Sequence, residues 1–160
     1  MIGSLSEETE VKAHVSKAWA LYGTLELGKL VAGKLFEAVE VVEGDGGVGT
    51  ILKVTLKPGT TSAGSGLEYY FEKFTKVDNQ NMVKDIQIVK GGFLDIGFNY
   101  YRIKLEVIEN SKDETGSSCR VKITIEYEVK DEFVANASLV NTELLVAIMG
   151  VAKEHLESFN

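Results

Sequence analysis

The stretch FVANASLVNTELLVAIMGVAKEHL, residues 133–156, decides the fold that this sequence predicts. Its apolar residues recur at spacings of three and four, which places them on one side of an α-helix. No proline interrupts residues 131–160, so the pattern predicts one helix of roughly 40 Å, with Asn136 or Ser138 as a cap. A helix with so broad an apolar side needs a large concave partner.

That partner is predicted to be a curved sheet, because apolar and polar residues alternate through much of residues 36–129. The predicted strands are residues 3–12, 36–42, 50–57, 67–77, 82–90, 93–108 and 119–129. Two short helices are predicted at residues 15–22 and 24–33. We therefore expect one α+β domain over residues 1–160, in which a seven-stranded curved antiparallel sheet wraps round a long C-terminal helix and leaves an internal ligand cavity.

Two local patterns refine this prediction. In residues 93–108 the apolar positions switch from even numbers to odd, which predicts a β-bulge near Tyr100–Tyr101. The glycine-rich residues 43–49, EGDGGVG, precede a strand pattern and lack the lysine of a phosphate-binding loop. They favour a hairpin with positive φ angles over a phosphate site. Residues 58–66 are predicted to form a loop of small residues.

Composition excludes several classes of function. A net charge of −7 over 160 residues argues against nucleic-acid binding, which requires a basic face. The single cysteine, Cys119, excludes an intramolecular disulfide and a cysteine-based zinc site, and its strand pattern predicts a buried thiol.

No run of eighteen apolar residues is free of polar interruption, so we predict no membrane span. Residues 1–10 lack a basic region followed by an apolar run, which predicts a cytoplasmic location. A chain from which a leader peptide had already been removed would begin in the same way.

Lys84 is the clearest polar residue out of place. Its side of the predicted strand also carries Met82, Ile86 and Ile88. Because side chains alternate between the two faces of a strand, this pattern predicts that the lysine points into the core or cavity. Burial lowers the pKa of a lysine and makes it a candidate catalytic group. A lysine that extends its charge to solvent from the strand end is the equally weighted alternative.

Glu72 is a second candidate, because Tyr70, Glu72 and Phe74 share one face of their strand. A carboxylate between aromatic side chains in a cavity would have a raised pKa and could act as a general base or acid. A surface glutamate paired with a lysine is the alternative, since both faces carry aromatic residues. His14 and His155 lie near opposite ends of the chain with no metal-ligand pattern of carboxylates beside them, so we predict that both are surface residues and propose no metal site.

Several segments together resemble the plant pathogenesis-related class 10 proteins, which have the Bet v 1-like, helix-grip fold. The general marks are EGDGGVGTI at residues 43–51, GG at residues 91–92 and the C-terminal helix. The segments EYYFEKF (68–74), VDN (77–79), GGFLDIG (91–97), YY (100–101) and EYEVKDEFV (126–134) are most similar to the norcoclaurine synthase branch of that family.

The resemblance implies a cofactor-free Pictet–Spengler condensation of dopamine with 4-hydroxyphenylacetaldehyde in alkaloid biosynthesis. Lys84 would protonate the departing hydroxyl or hold the aldehyde end, and Glu72 would remove the catechol and ring protons. Tyr70 would narrow the mouth of the cavity and position the intermediate. The implied substrate-binding residues are Phe74, Met82, Tyr101, Ile103, Leu144 and Ile148.

Ile103 replaces an inward aspartate of that branch. This substitution favours the alternative function, a carrier that binds a plant hormone, flavonoid or alkaloid without chemistry. Either function implies a small aromatic or alkaloid-like ligand, and the sequence leaves open whether the chain is a monomer or a weak homodimer.

Overall fold

The structure is a computed structural model that describes residues 1–58 and 67–159, so residues 59–66 of the predicted loop lie outside the described part. The strands are β1 (Ile2–Val11), β2 (Phe36–Glu43), β3 (Ile51–Leu56), β4 (Tyr69–Asp78), β5 (Val83–Gly91), β6 (Phe98–Glu109) and β7 (Cys119–Val129). The α-helices are α1 (Val15–Tyr22), α2 (Glu26–Val31) and α3 (Glu143–Glu157). Gly92–Ile96 and Asp131–Leu139 are 3₁₀ segments.

The seven strands form one antiparallel sheet in the order β1-β7-β6-β5-β4-β3-β2. In β7, the alternation of the sequence buries Cys119, Val121, Ile123 and Ile125 on one face, as predicted. The predicted α+β architecture, with a curved sheet and a C-terminal helix, is confirmed.

The glycine-rich connection between β2 and β3 forms the predicted hairpin. Gly44, Gly46 and Gly49 all have positive φ angles. The backbone N–H of Gly46 donates to Oγ1 of Thr50, at 2.8 Å, and Thr50 is buried. The glycines therefore serve the turn itself.

The predicted bulge lies one residue earlier than expected. The pairing of β6 with β7 shifts between Phe98 and Tyr100, which leaves Asn99 as the extra residue. As a result, even-numbered Phe98 and odd-numbered Tyr101 are both buried, which accounts for the switch of the apolar positions from even to odd residue numbers. The prediction that this strand begins at residue 93 was wrong, because Gly91, Gly92 and Gly97 have positive φ angles and residues 92–96 form a 3₁₀ turn.

The C-terminal helix starts later than predicted. Val140 is extended, with φ −76° and ψ 121°, and it separates the 3₁₀ segment from α3. Neither Asn136 nor Ser138 caps α3. Instead, Oδ1 of Asn141 accepts a hydrogen bond from the backbone N–H of Glu143, at 3.0 Å. The 15 residues of α3 span about 22 Å.

By length and composition alone, residues Asp131–Glu157 would suffice to cross a membrane, with a mean hydropathy of 1.5. This is weak evidence, since the core helix of a folded domain can pass the same test. In the structure, extended Val140 divides the segment, and α3 buries Leu145, Met149, Ala152 and Leu156. The apolar side of α3 therefore belongs to the core that the sheet encloses.

Candidate active site

A cavity of about 130 Å³ lies between the inner face of the sheet, α2 and α3. Its lining is mostly apolar. The polar side chains among its described lining residues are Thr24, Tyr70, Glu72, Lys84, Tyr101 and Asn141. Glu72 and Lys84 are the acidic and the basic residue of that set, so the cavity confines two opposite charges within apolar walls.

Lys84 points inward from β5, as its parity predicted, and it is 2% exposed. Its Nζ lies 4.3 Å from the centroid of the Phe74 ring, in a cation–π contact. Burial lowers the pKa of Lys84 to about 8, while the carboxylate of Glu72 opposes that shift. The alternative of a lysine that extends to solvent is therefore excluded.

Glu72 also points into the cavity, because β4 turns Tyr70, Glu72 and Phe74 to its inner face. Burial raises the pKa of Glu72 to about 7, and the Lys84 ammonium pulls it in the opposite direction. Within the described part of the chain, Glu72 and Lys84 form no ion pair or hydrogen bond with each other. Each charge is thus available to a bound molecule.

Tyr70 and Tyr101 line the same cavity. Burial raises the pKa of both phenols, and the nearby Glu72 carboxylate raises that of Tyr70 further. Both therefore stay protonated near neutral pH and can donate hydrogen bonds, but neither can act as a base.

Five of the six substrate-binding residues implied by the resemblance line the cavity, namely Phe74, Tyr101, Ile103, Leu144 and Ile148. Met82 is not among the lining residues. It lies in the turn before β5 with φ 57°, which takes it out of the strand alternation that turns Lys84 inward. Ile103 lies between Ile86 of β5 and Ile125 of β7, so this part of the wall is apolar.

Sequence reasoning missed Leu27, Phe93 and Asn141, which also line the cavity. The four-residue spacing of Leu27 and Val31 signals one apolar side of α2, but not that it faces a hollow. Phe93 was assigned to a strand, whereas it lies in the 3₁₀ segment Gly92–Ile96. The sequence pattern around Asn141 does not indicate that it lines a cavity, because its position depends on the extended residue, Val140, that precedes α3.

The histidines and the cysteine lie outside the cavity lining. Nδ1 of His14 accepts a hydrogen bond from the backbone N–H of Ser16 at the start of α1. The half-buried His155 packs edge-on against Phe159. Cys119 is buried, as predicted, and burial raises the pKa of its thiol to about 11, so it is not an activated nucleophile.

Comparisons with known proteins agree with this architecture. The profile of the Pathogenesis-related protein Bet v 1 family matches residues 1–158. Norbelladine synthase of Narcissus pseudonarcissus is 43% identical over 159 residues, which cover 98% of this chain and 93% of that protein. S-norcoclaurine synthase of Thalictrum flavum subsp. glaucum is 40% identical over 133 residues, which cover 81% of this chain and 59% of that protein.

A solved structure gives a further comparison. Norcoclaurine synthase from Thalictrum flavum, in complex with dopamine and hydroxybenzaldehyde, superposes with a TM-score of 0.82 at 34% identity. The match covers 100% of this chain and 89% of that one. That relative therefore accommodates an aromatic amine and an aromatic aldehyde within the same fold.

Proposed function

Because the chain belongs to the Pathogenesis-related protein Bet v 1 family, we propose that it is a synthase that joins an arylethylamine to an aldehyde bearing an aromatic ring in its cavity. In the full form of the proposal, the enzyme then closes the ring by a stereoselective Pictet–Spengler reaction. Dopamine and 4-hydroxyphenylacetaldehyde are the pair to test first. Relatives named as norbelladine and norcoclaurine synthases support this proposal.

One observation carries the proposal: Lys84 and Glu72 occupy one apolar cavity without pairing with each other. With pKa values of about 8 and about 7, the lysine can still hold a proton when the glutamate has already lost its own. An acid and a base that work in sequence need this arrangement. A carrier that binds its ligand without chemistry gains nothing from two buried, unpaired charges.

The first stage forms the carbon–nitrogen bond. The amine attacks the aldehyde carbon, and a proton passes from nitrogen to oxygen to give a carbinolamine. The Lys84 ammonium then protonates the departing hydroxyl, which leaves as water and yields an iminium ion. Apolar walls that exclude water favour the iminium over its hydrolysis.

The second stage closes the ring. A carbon of the aromatic ring attacks the iminium carbon, and the Glu72 carboxylate removes the proton from that ring carbon. Transfer of one proton from Glu72 back to Lys84 through solvent restores the enzyme. The sum is amine plus aldehyde giving product plus water, with no oxidant or reductant.

Ile103 bears on how the amine is held. Where the norcoclaurine synthase branch is expected to have an aspartate, this wall is apolar, so Glu72 is the carboxylate that meets the substrate among the described lining residues. Glu72 would then attract the cationic form of the amine, which releases its proton to solvent before it attacks the aldehyde, and would act as the base in the second stage. This substitution is also the observation that favours the carrier function.

The test compares the wild type with Lys84→Met, using dopamine and 4-hydroxyphenylacetaldehyde and chiral chromatography of the product. We expect one enantiomer from the wild type, and a rate lowered by about 10²–10⁴-fold in the variant, since general acid catalysis contributes about this factor. Lys73→Met is the matched control, because Lys73 lies on the exposed face of β4. It should retain the rate and the enantiomeric excess.

Borohydride trapping of parallel reactions separates the two stages. A trapped open-chain amine without ring-closed product would limit the function to the first stage. A racemate at the same rate from wild type and Lys84→Met, with nothing trapped above background, would refute the synthase function for this pair. Saturable binding of the same molecules would then support the carrier.

A further inference from the structure

Residues 91–93, Gly-Gly-Phe, form a corner between β5 and the following 3₁₀ segment, and its two glycines press against Tyr70. Gly91 pairs with Tyr70 across β4 and β5. A Cβ built at Gly91 would lie 2.7 Å from the Tyr69 carbonyl oxygen, and one at Gly92 would lie 3.1 Å from Cβ of Tyr70. The positive φ angles of 74° and 55° are a second reason for glycine at both positions.

The third residue of the 91–93 corner contacts the other cavity tyrosine. The Phe93 ring stacks on the Tyr101 ring, with centroids 4.7 Å apart and planes 9° apart. Phe98 packs against the same Phe93 ring, with centroids 5.0 Å apart. Stacked aromatic pairs are favourable beyond the area that they bury, so Phe93 fixes the plane of Tyr101.

Neither hydroxyl of these two tyrosines is among the fully buried, unpartnered atoms of the described residues. In the described part of the chain, neither has a hydrogen-bond partner. The fully buried, unpartnered side-chain atoms there are the Tyr22 hydroxyl and one Asp85 oxygen, so the Tyr70 and Tyr101 hydroxyls reach open space. The space that both tyrosines line is the cavity. Tyr101 also lies close enough to Tyr70 to influence it electrostatically.

We propose that the 91–93 corner is a positioning element, which holds Tyr70 and Tyr101 so that their two hydroxyls donate to one oxygen of the bound substrate. Phe93 acts through Tyr101 and is not itself a catalytic residue. This inference rests on the proposed function for the class of ligand, an aromatic molecule that bears oxygen. It adds the part of the cavity that recognises the oxygen.

The test is binding by isothermal titration calorimetry, without an amine, so that no turnover is needed. The probes are 4-hydroxybenzaldehyde, benzaldehyde and 4-methylphenol, and the two simpler probes each lack one of the oxygens. Measurements at pH 6.5 keep Lys84 as an ammonium, which does not add to the aldehyde. The proteins are wild type, Tyr101→Phe, Phe93→Leu, Phe93→Tyr and, as a control on the outer face of β4, Phe71→Leu.

We expect the wild type to bind 4-hydroxybenzaldehyde about tenfold more tightly than at least one simpler probe, as hydrogen bonds of ordinary strength would give. Whichever probe binds weakly identifies the recognised oxygen. Tyr101→Phe and Phe93→Leu should both lose this preference. Phe93→Tyr, which keeps the stacked ring, and Phe71→Leu should retain it.

Equal weakening of all three probes by Phe93→Leu would show that Phe93 only packs the wall, and it would overturn the inference. No preference in the wild type would overturn it as well. Turnover of amine and aldehyde without this preference contradicts the inference alone. The preference without turnover contradicts only the proposed function.

Discussion

At the scale of single residues, Lys84 and Glu72 are informative as a pair. Burial shifts the pKa of each toward neutrality, and the opposite charge of the partner limits each shift. Near neutral pH the cavity therefore holds a proton donor and a proton acceptor at the same time. Parity identified Lys84 from the sequence, because a charged residue broke an otherwise apolar strand face. It left Glu72 undecided, because aromatic residues lie on both faces of β4.

This pair predicts a bell-shaped dependence of kcat/KM on pH. The rate should rise through about pH 7 as Glu72 loses its proton and becomes a base. It should fall through about pH 8 as Lys84 loses the proton that it must donate. The measurement is initial-rate kinetics of enantiomerically enriched product from pH 5.5 to 9.5, with the uncatalysed rate subtracted at each pH.

Glu72→Gln provides the check on this assignment. Its residual activity should lack the rising limb. Its falling limb should move to lower pH, because the Glu72 carboxylate raises the pKa of Lys84. A rising limb that persists in Glu72→Gln would assign that ionisation to another group.

At the scale of helices and strands, the sequence predicts the features that depend on which face of an element is buried. The alternation of β7 and the parity switch of β6 follow from which face meets the core, so the bounds of β7 and, to within a residue, the bulge at Asn99 were predicted. The start of α3 was not, because apolar spacing continues through residues 133–142. Distant contacts decide it, such as the hydrogen bond from Nδ2 of Asn136 to the carbonyl oxygen of Ile96, at 2.8 Å.

The side chain of Asn141, just before α3, accepts a hydrogen bond from the first residue of the helix, so its removal should weaken the helix start. We expect Asn141→Ala to lower the free energy of unfolding by about 1 kcal/mol, because the N–H of Glu143 loses its acceptor. Asn141→Asp should lose less, since a carboxylate accepts the same hydrogen bond and suits the helix N-terminus, although it gives up the hydrogen bond from Nδ2 of Asn141 to the Leu139 carbonyl oxygen, at 3.2 Å. Urea denaturation measures both effects.

Ser138→Ala is the control, because Ser138 is exposed and its Oγ donates only to the carbonyl oxygen of Ala135. Its effect should stay within about 0.5 kcal/mol, as at most surface sites. Equal losses in Asn141→Ala and Ser138→Ala would show that Asn141 has no special role at the start of α3. The cap matters to the site because the first turns of α3 carry Leu144, Leu145 and Ile148 of the cavity wall.

At the scale of the whole molecule, the first strand and the last helix of the chain contact each other. β1 pairs with β7 along its whole length, and Nζ of Lys153 in α3 donates to the carbonyl oxygen of Glu10, at 2.6 Å. The backbone N–H of Lys12 donates to the Glu157 carboxylate, at 2.9 Å. These contacts hold α3 over the sheet, so the hollow is a property of the complete fold. Periodicity predicts such a fold but not the size of the hollow.

A hollow that contains two charges has consequences for stability. The unfolded chain releases the Glu72 proton near pH 4.5 and the folded chain near pH 7, so stability falls as the pH rises between these values. The folded chain releases the Lys84 proton near pH 8 and the unfolded chain near pH 10.5, so stability rises again over that range. The pair therefore stabilises the fold least between about pH 7 and 8, where we expect activity to be greatest.

Replacing both charges should remove this minimum. At pH 7.5 we expect Glu72→Gln/Lys84→Met to be inactive but more stable than the wild type by about 1–4 kcal/mol, the range found when buried charged groups are replaced by neutral ones of similar volume. The gain should shrink toward pH 4.5 and toward pH 10.5, because the folded wild type then carries only one of the two charges. Urea denaturation of both proteins across this range measures the difference. A gain that does not vary with pH would mean improved packing alone, and the Glu72 and Lys84 charges would then cost the fold nothing.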